Sequence, residues 1–282
     1  MEEFQKIRLF GSRDFAGNFD MTLSFVKQNY VPIIKALAIV IPVLLIIAFV
    51  APTNSLMGDF SSYTDPLDIY GEIFTVGYFV SIFLNWLVMY VISLYVVAYM
   101  ALYAKSPDGK VKSSEVWSKM ADVFLPVFGA SILFGIMFMI GLMLCIIPGI
   151  ILYVYLGFYM YVYINEEKGI IDSFYRSFEL VTRNWWVTFG YGLIFLVLIY
   201  IGQMIFSIPS FITGIGIGLR IDFLTSQVFL YIATFISEIG SFLLIPIMYM
   251  AMGVMYYSHR NKIERIDLES DIDSIGDTSD EN

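Results

Sequence analysis

Six long apolar stretches constrain this chain more than any other feature of its sequence. They run over residues 31–51, 76–104, 125–147, 150–164, 185–207 and 224–257, and each holds at most one charged residue. A bilayer core about 30 Å thick needs about twenty helical residues at a rise of about 1.5 Å per residue. Because lipid offers the backbone no hydrogen-bond partner, we predict an all-α, polytopic membrane protein with six transmembrane helices. A composition of 59% hydrophobic and 15% charged residues agrees with this class.

The basic residues fall almost entirely on one side of these spans. Fifteen of the sixteen Lys and Arg residues flank the spans on one side, and only Arg220 lies on the other. The external loop from Pro52 to Thr75 carries four acids and no base. Because cytoplasmic loops are enriched in Lys and Arg, we expect both termini to be cytoplasmic.

Three regions follow from this topology. They are a cytoplasmic N-terminal segment with an amphipathic helix over residues 1–30, a six-helix membrane domain over residues 31–257, and a tail over residues 258–282. The tail is rich in Asp, Glu and Ser and lacks aromatic residues, so we expect it to be disordered and solvated.

The spans also form an internal repeat of three units. Each unit has a basic, aromatic amphipathic segment, a span, a proline and a returning span. The units begin near Phe15, Lys112 and Gly169 and turn at Pro52, Pro148 and Pro209. We therefore expect three helical hairpins, each preceded by a cytoplasmic amphipathic helix. In the second unit, Pro148 should stop one helix and Gly149 should allow the reversal.

The segment before the fifth span has the clearest amphipathic pattern. Its apolar residues recur every three or four positions and share one helical face: Ile170, Phe174, Phe178, Val181 and Trp185. On the other face, Asp172 and Arg176 are spaced as an i,i+4 ion pair, as are Glu179 and Arg183.

This segment supplies the candidate lipid-interface residues. Arg176 and Arg183 are expected near lipid phosphates, with Trp185 and Trp186 at headgroup depth. The alternative is a cytoplasmic collar that packs under the bundle. The expected partners are the lipid bilayer and either anionic lipid headgroups or a cytoplasmic protein, with no nucleic acid.

Residues 148–190 combine a Pro-Gly pair, an aromatic helix, an acidic-Gly turn, an amphipathic helix and Asn-Trp-Trp. This run resembles bacterial six-span membrane proteins related to the membrane domain of glycerophosphoryl diester phosphodiesterase. Residues 13–37 similarly look like the opening of such proteins. The resemblance implies a six-helix domain in the bacterial cytoplasmic (inner) membrane. It does not imply phosphodiesterase activity, because that chemistry belongs to a separate soluble catalytic domain that we do not find in this sequence.

Side chains suited to catalysis are scarce. The one histidine, His259, is expected at the surface beside the last span and cannot form a paired-histidine or His-rich metal site. The one cysteine, Cys145, lies in an apolar span where its thiol would be poorly ionised. We therefore predict a non-enzymatic protein with no catalytic, cofactor-binding or metal-binding residues.

Glu238 is the acid clearly inside a span. A charge at the centre of a bilayer costs about 3 kcal/mol on insertion scales, so this side chain should face a polar interior or carry a proton. The candidate intramembrane polar site comprises Glu238, Ser237, Ser241, Gln203 and Asn85. Its two interpretations are a proton- or substrate-coupled site and an interhelical hydrogen bond that stabilises the bundle.

Together these features predict a scaffold or modulator in membrane-lipid or envelope homeostasis. The lipid role rests on the family resemblance and on the interfacial segments. The alternative is a transporter or channel that uses the polar site near Glu238.

Overall fold

The computed structural model describes residues 5–50 and 75–268. Within these ranges the fold is all-helical. The helices are α1 (Phe15–Leu37), α2 (Ile41–Val50), α3 (Val76–Lys105), α4 (Ser113–Leu144), α5 (Ile146–Leu156), α6 (Tyr159–Glu166), α7 (Ile170–Thr182), α8 (Trp185–Phe206), α9 (Ile208–Gly218) and α10 (Gln227–Glu264). A 3₁₀ turn, Ala38–Val40, joins α1 to α2.

Six helical segments are long and apolar enough to cross a membrane. They are Phe15–Val50, Val76–Lys105, Ser113–Leu144, Ile146–Glu166, Trp185–Phe206 and Gln227–Glu264. In the most apolar stretch of α8, only 11% of residues are buried inside the protein. Such outward-facing apolar side chains are stable in lipid, which agrees with a multi-pass membrane protein.

The described residues form two compact units. The first unit comprises residues 5–33, 94–196 and 247–268, and the second comprises residues 34–50, 75–93 and 197–246. The helix α10 contributes its first part to the second unit and its last part to the first unit.

The predicted turn at Pro148 and Gly149 is wrong. The chain reverses earlier, at Cys145, whose backbone is extended between α4 and α5, so Cys145 lies at this turn and not within a span. Pro148 lies in the first turn of α5, where its missing N–H costs no helical hydrogen bond. Gly149 serves close packing, because a Cβ atom there would lie 2.6 Å from Leu142 Cδ2.

The amphipathic segments also differ from the prediction. Residues from Phe15 onward and from Ser113 onward are the opening turns of α1 and α4, which continue into the apolar spans. Only the third segment, α7, is a separate helix among the described residues. Near the predicted turn at Pro209, the chain forms the short helix α9. The predicted turn at Pro52, the acidic external loop and the tail after residue 268 lie outside the described residues.

Candidate functional site

An open groove of about 650 Å³ lies in the first unit, between α5 and the junction of α7 with α8. Three isoleucines and Tyr155 of α5 form its apolar wall, and the first turns of α8 add aromatic rings. Its lining residues are Ile147, Ile150, Ile151, Tyr155, Thr182, Arg183, Asn184, Trp185, Trp186, Val187 and Phe189. The groove therefore combines an apolar wall and aromatic rings with one cation, Arg183. Three of the four predicted lipid-interface residues line it: Arg183, Trp185 and Trp186.

The junction between α7 and α8 gives the groove a polar end. Arg183 is exposed there, and no acid is among the lining residues. Trp185 stacks on Phe189 with ring centroids 5.2 Å apart, and Trp186 packs edge-on against Trp185 at 4.7 Å. The buried Nε1 atom of Trp185 has no hydrogen-bond partner among the described residues. A cation beside an apolar channel suits a ligand with an anionic head and an apolar tail.

Arg176 is bonded to other side chains of the protein, whereas the prediction placed it near lipid phosphates. Its side chain is only 9% exposed and forms ion pairs with three carboxylates. Nε lies 3.1 Å from Glu166 and Nη1 lies 2.7 Å from Glu179, while Nη2 pairs with Glu264. Because its donors are already bonded inside the protein, Arg176 serves to join α6, α7 and α10.

Electrostatics agree with this structural role. Burial by itself lowers the pKa of Arg176, but its hydrogen bond to Glu179 and the charges of Glu166, Glu179 and Glu264 outweigh this effect, so the pKa lies above its ordinary value. Arg260 adds a bond of 2.7 Å to Glu264. The guanidinium therefore stays charged and paired at any physiological pH.

The predicted apolar face of α7 is only partly buried within the protein. Phe174 and Val181 are buried, whereas Phe178 is 48% exposed. Ser173 and Ser177 are buried in its place. Ser177 donates to the carbonyl of Tyr155 at 2.8 Å and accepts from the N–H of Phe158 at 3.0 Å. These bonds satisfy backbone groups at the break between α5 and α6, a role that hydrophobic periodicity cannot reveal.

The structure brings the five residues of the predicted polar site into hydrogen-bonded pairs within the second unit. Asn85 Nδ2 donates to Glu238 Oε2 at 3.0 Å. Gln203 Nε2 donates to the carbonyl and hydroxyl oxygens of Ser237 at 3.0 and 3.2 Å. Ser241 donates to the carbonyl of Ser237 at 3.5 Å. Asn85 of α3 and Gln203 of α8 therefore contact neighbouring residues of α10.

A helix break lies at the same level as Glu238. The helix α8 ends at Phe206 and α9 begins at Ile208. A Cβ atom on Gly240 would lie 2.4 Å from Phe206 Cβ, so the end of α8 packs directly on α10 two residues beyond Glu238. Pro209, just after the break, offers no N–H to the carbonyl four residues earlier.

His259 is not a surface residue, contrary to the prediction. It is fully buried, and its Nε2 atom lies 2.8 Å from Thr188 Oγ1. Three residues further along α8, Tyr191 donates to the carbonyl of Asn18 on α1 at 3.0 Å and shares a bond of 2.5 Å with Thr22. Sequence reasoning missed this cluster, although Asn18 with Thr22 and Thr188 with Tyr191 have the spacing of a shared helical face.

The described residues contain no group of three or more His, Cys, Asp or Glu side chains placed to hold a metal ion.

No curated protein and no solved structure matches the chain. A family model described as "Domain of unknown function (DUF7847)" matches residues 74–259, which cover more than half of the chain and most of its apolar helices. The chain therefore belongs to the DUF7847 family.

Proposed function

We propose that the protein is a non-enzymatic membrane protein that binds phospholipid and acts as a scaffold or modulator in membrane-lipid or envelope homeostasis. The observation that carries this proposal is the groove in the first unit, which joins an apolar channel to the cation Arg183. The resemblance of residues 148–190 to membrane domains related to glycerophosphoryl diester phosphodiesterase supports the same assignment.

The apolar channel suits an acyl chain. From Ile147 to Tyr155 its wall follows nine residues of α5, a rise of about 12 Å. The three isoleucines that line it are exposed by 38% to 66% in the absence of lipid. Covering such surface is favourable by about 25 cal/mol per Å². An alkyl chain fits this wall because it brings no polar group that needs a partner.

The polar end suits a phosphate. Arg183 can form charge-assisted hydrogen bonds with phosphate oxygens. With no acid in the lining, the net charge of the groove is positive. This charge favours an anionic headgroup over one whose phosphate is balanced by its own cation.

The topology in the bilayer is part of the proposal. We place both termini in the cytoplasm and the six spans in a bacterial inner membrane, as three hairpins. The distribution of Lys and Arg supports this orientation. The end of the groove at Arg183 then lies at the cytoplasmic leaflet, where anionic headgroups attract bases.

Native mass spectrometry tests the proposal directly. The full chain is released from nanodiscs that contain equal amounts of phosphatidylglycerol and phosphatidylethanolamine. We expect retained phosphatidylglycerol and about tenfold weaker retention in Arg183→Gln, because one charged hydrogen bond is worth about 1.5 kcal/mol. The matched control is Arg220→Gln, which removes an exposed arginine outside the groove.

A second variant tests the apolar wall. Ile151→Trp should fill the channel and reduce the retention of both lipids, because the acyl chain loses its space. The proposal is contradicted if wild-type protein retains no lipid, or if Arg183→Gln and Arg220→Gln retain phosphatidylglycerol equally.

A further inference from the structure

We propose that Glu238 is a proton-binding site inside the membrane, held by Asn85 at the break between α8 and α9. This site lies entirely in the second unit, so the proposal does not depend on lipid binding in the groove of the first unit. Such a site would supply the ion coupling that a transporter requires.

The first argument is depth. Asn85 lies nine residues after the start of α3, and Glu238 lies eleven residues after the start of α10. At the helical rise these positions are about 14 and 17 Å from the first residues of their helices, so both lie well inside segments long enough to cross a 30 Å core. Their hydrogen bond of 3.0 Å therefore joins two groups at matching depth.

The second argument is charge balance. No ion pair of Glu238 is found within 4.0 Å among the described residues, which include all sixteen Lys and Arg residues of the chain. The other charged side chains described in the second unit are Lys35, Arg220 and Asp222. Asn85 faces Glu238 from α3, and Gln203 approaches from α8 through Ser237, and both are neutral amides. Uptake of a proton removes the cost of an unpaired charge.

The third argument is access. The Glu238 side chain is partly exposed, so it is not sealed inside the protein. The amide of Gln203 and the hydroxyls of Ser237 and Ser241 line its surroundings on α8 and α10. These groups can both donate and accept hydrogen bonds.

Carbodiimide labelling tests the proposal on the full chain in detergent and in proteoliposomes. The apolar reagent dicyclohexylcarbodiimide reacts with protonated carboxyl groups. The carboxyl proton moves to a carbodiimide nitrogen while the carboxylate oxygen bonds to the central carbon. We expect peptide mass spectrometry to find modified Glu238 at neutral pH. The labelling rate should fall about tenfold per pH unit once the carboxyl group loses its proton at alkaline pH.

Two variants and a second measurement make the outcome decisive. Glu238→Gln should abolish the label, and Asp222→Asn, which removes an exposed acid of the same unit, should retain it. Infrared difference spectra between wild type and Glu238→Gln report the carbonyl stretch of a neutral carboxyl group whether or not the reagent reaches it. Absence of that stretch at neutral pH overturns the proposal. A stretch that persists unchanged to about pH 10 overturns the exchange of the proton.

Discussion

Arg176 in the first unit is buried and Glu238 in the second is partly exposed, and of the two only Arg176 has described partners of opposite charge. Three carboxylates surround its guanidinium, whereas Glu238 has one neutral amide, Asn85. A charge that is fully paired stabilises contacts between helices. A lone carboxyl group at membrane depth gains little from its amide and is free to exchange a proton. We therefore infer a structural role for the first side chain and propose a functional role for the second.

Removal of Arg176 should have the largest effect. In Arg176→Leu, Glu166 loses its closest cation while its side chain is only 6% exposed. Breaking a buried pair from one side costs about 3–5 kcal/mol, so we expect the free energy of unfolding in mixed micelles to fall by that amount. The control is Lys112→Ala, which removes an exposed pair with Glu115. Equal unfolding of the two variants would refute the structural role of Arg176.

Tyr191→Phe tests the neutral polar cluster of the same unit. The variant leaves Thr22 and the carbonyl of Asn18 without their partner in a buried site. An unsatisfied buried polar group costs about 1–3 kcal/mol, and we expect a loss in that range. Tyr200→Phe on the same helix is the control, because Tyr200 is 67% exposed. A loss no greater than that of the control contradicts the importance of this cluster.

The second unit should be far less sensitive. Glu238→Leu and Asn85→Leu remove opposite ends of one hydrogen bond, and such bonds in membranes are worth about 0.6 kcal/mol. We expect a coupling free energy of this size from a double-mutant cycle on unfolding. A coupling of about 3 kcal/mol would give Glu238 the same structural role as Arg176 and erase the contrast between the units.

Glu115→Gln should have the smallest effect. Its partner Lys112 lies 3.9 Å away, and both side chains are more than half exposed. Exposed pairs of this kind contribute about 0.3–0.5 kcal/mol. We expect that difference at low ionic strength and its disappearance in high salt, because exposed charges are screened. If the effect persists in high salt, this exposed pair is no more sensitive to screening than the buried network of Arg176 is expected to be. That result would contradict the contrast between exposed and buried pairs.

Some features of the two sites were predictable and others were not. The polar residues of the second unit stood out because Asn85, Gln203 and Glu238 interrupt apolar spans, and polar groups in lipid seek one another. Arg176 misled the prediction because its i,i+4 spacing to Asp172 indicated an exposed pair. Its actual partners Glu166 and Glu264 lie on other helices, and single-sequence periodicity carries no information about them.

The sequence by itself determined the class of fold, the number of apolar helices and the polar residues available inside them. The physical reason is that each span in lipid needs a continuous apolar length and a backbone whose hydrogen bonds are formed internally. Each segment must meet these requirements by itself. Only the tertiary structure decided that Asn85 meets Glu238 and that His259 is buried. It also decided that Arg183 lines the groove beside α5, whereas Arg176 pairs with three carboxylates. These outcomes depend on which helical faces meet, and that choice is set by packing across the whole chain.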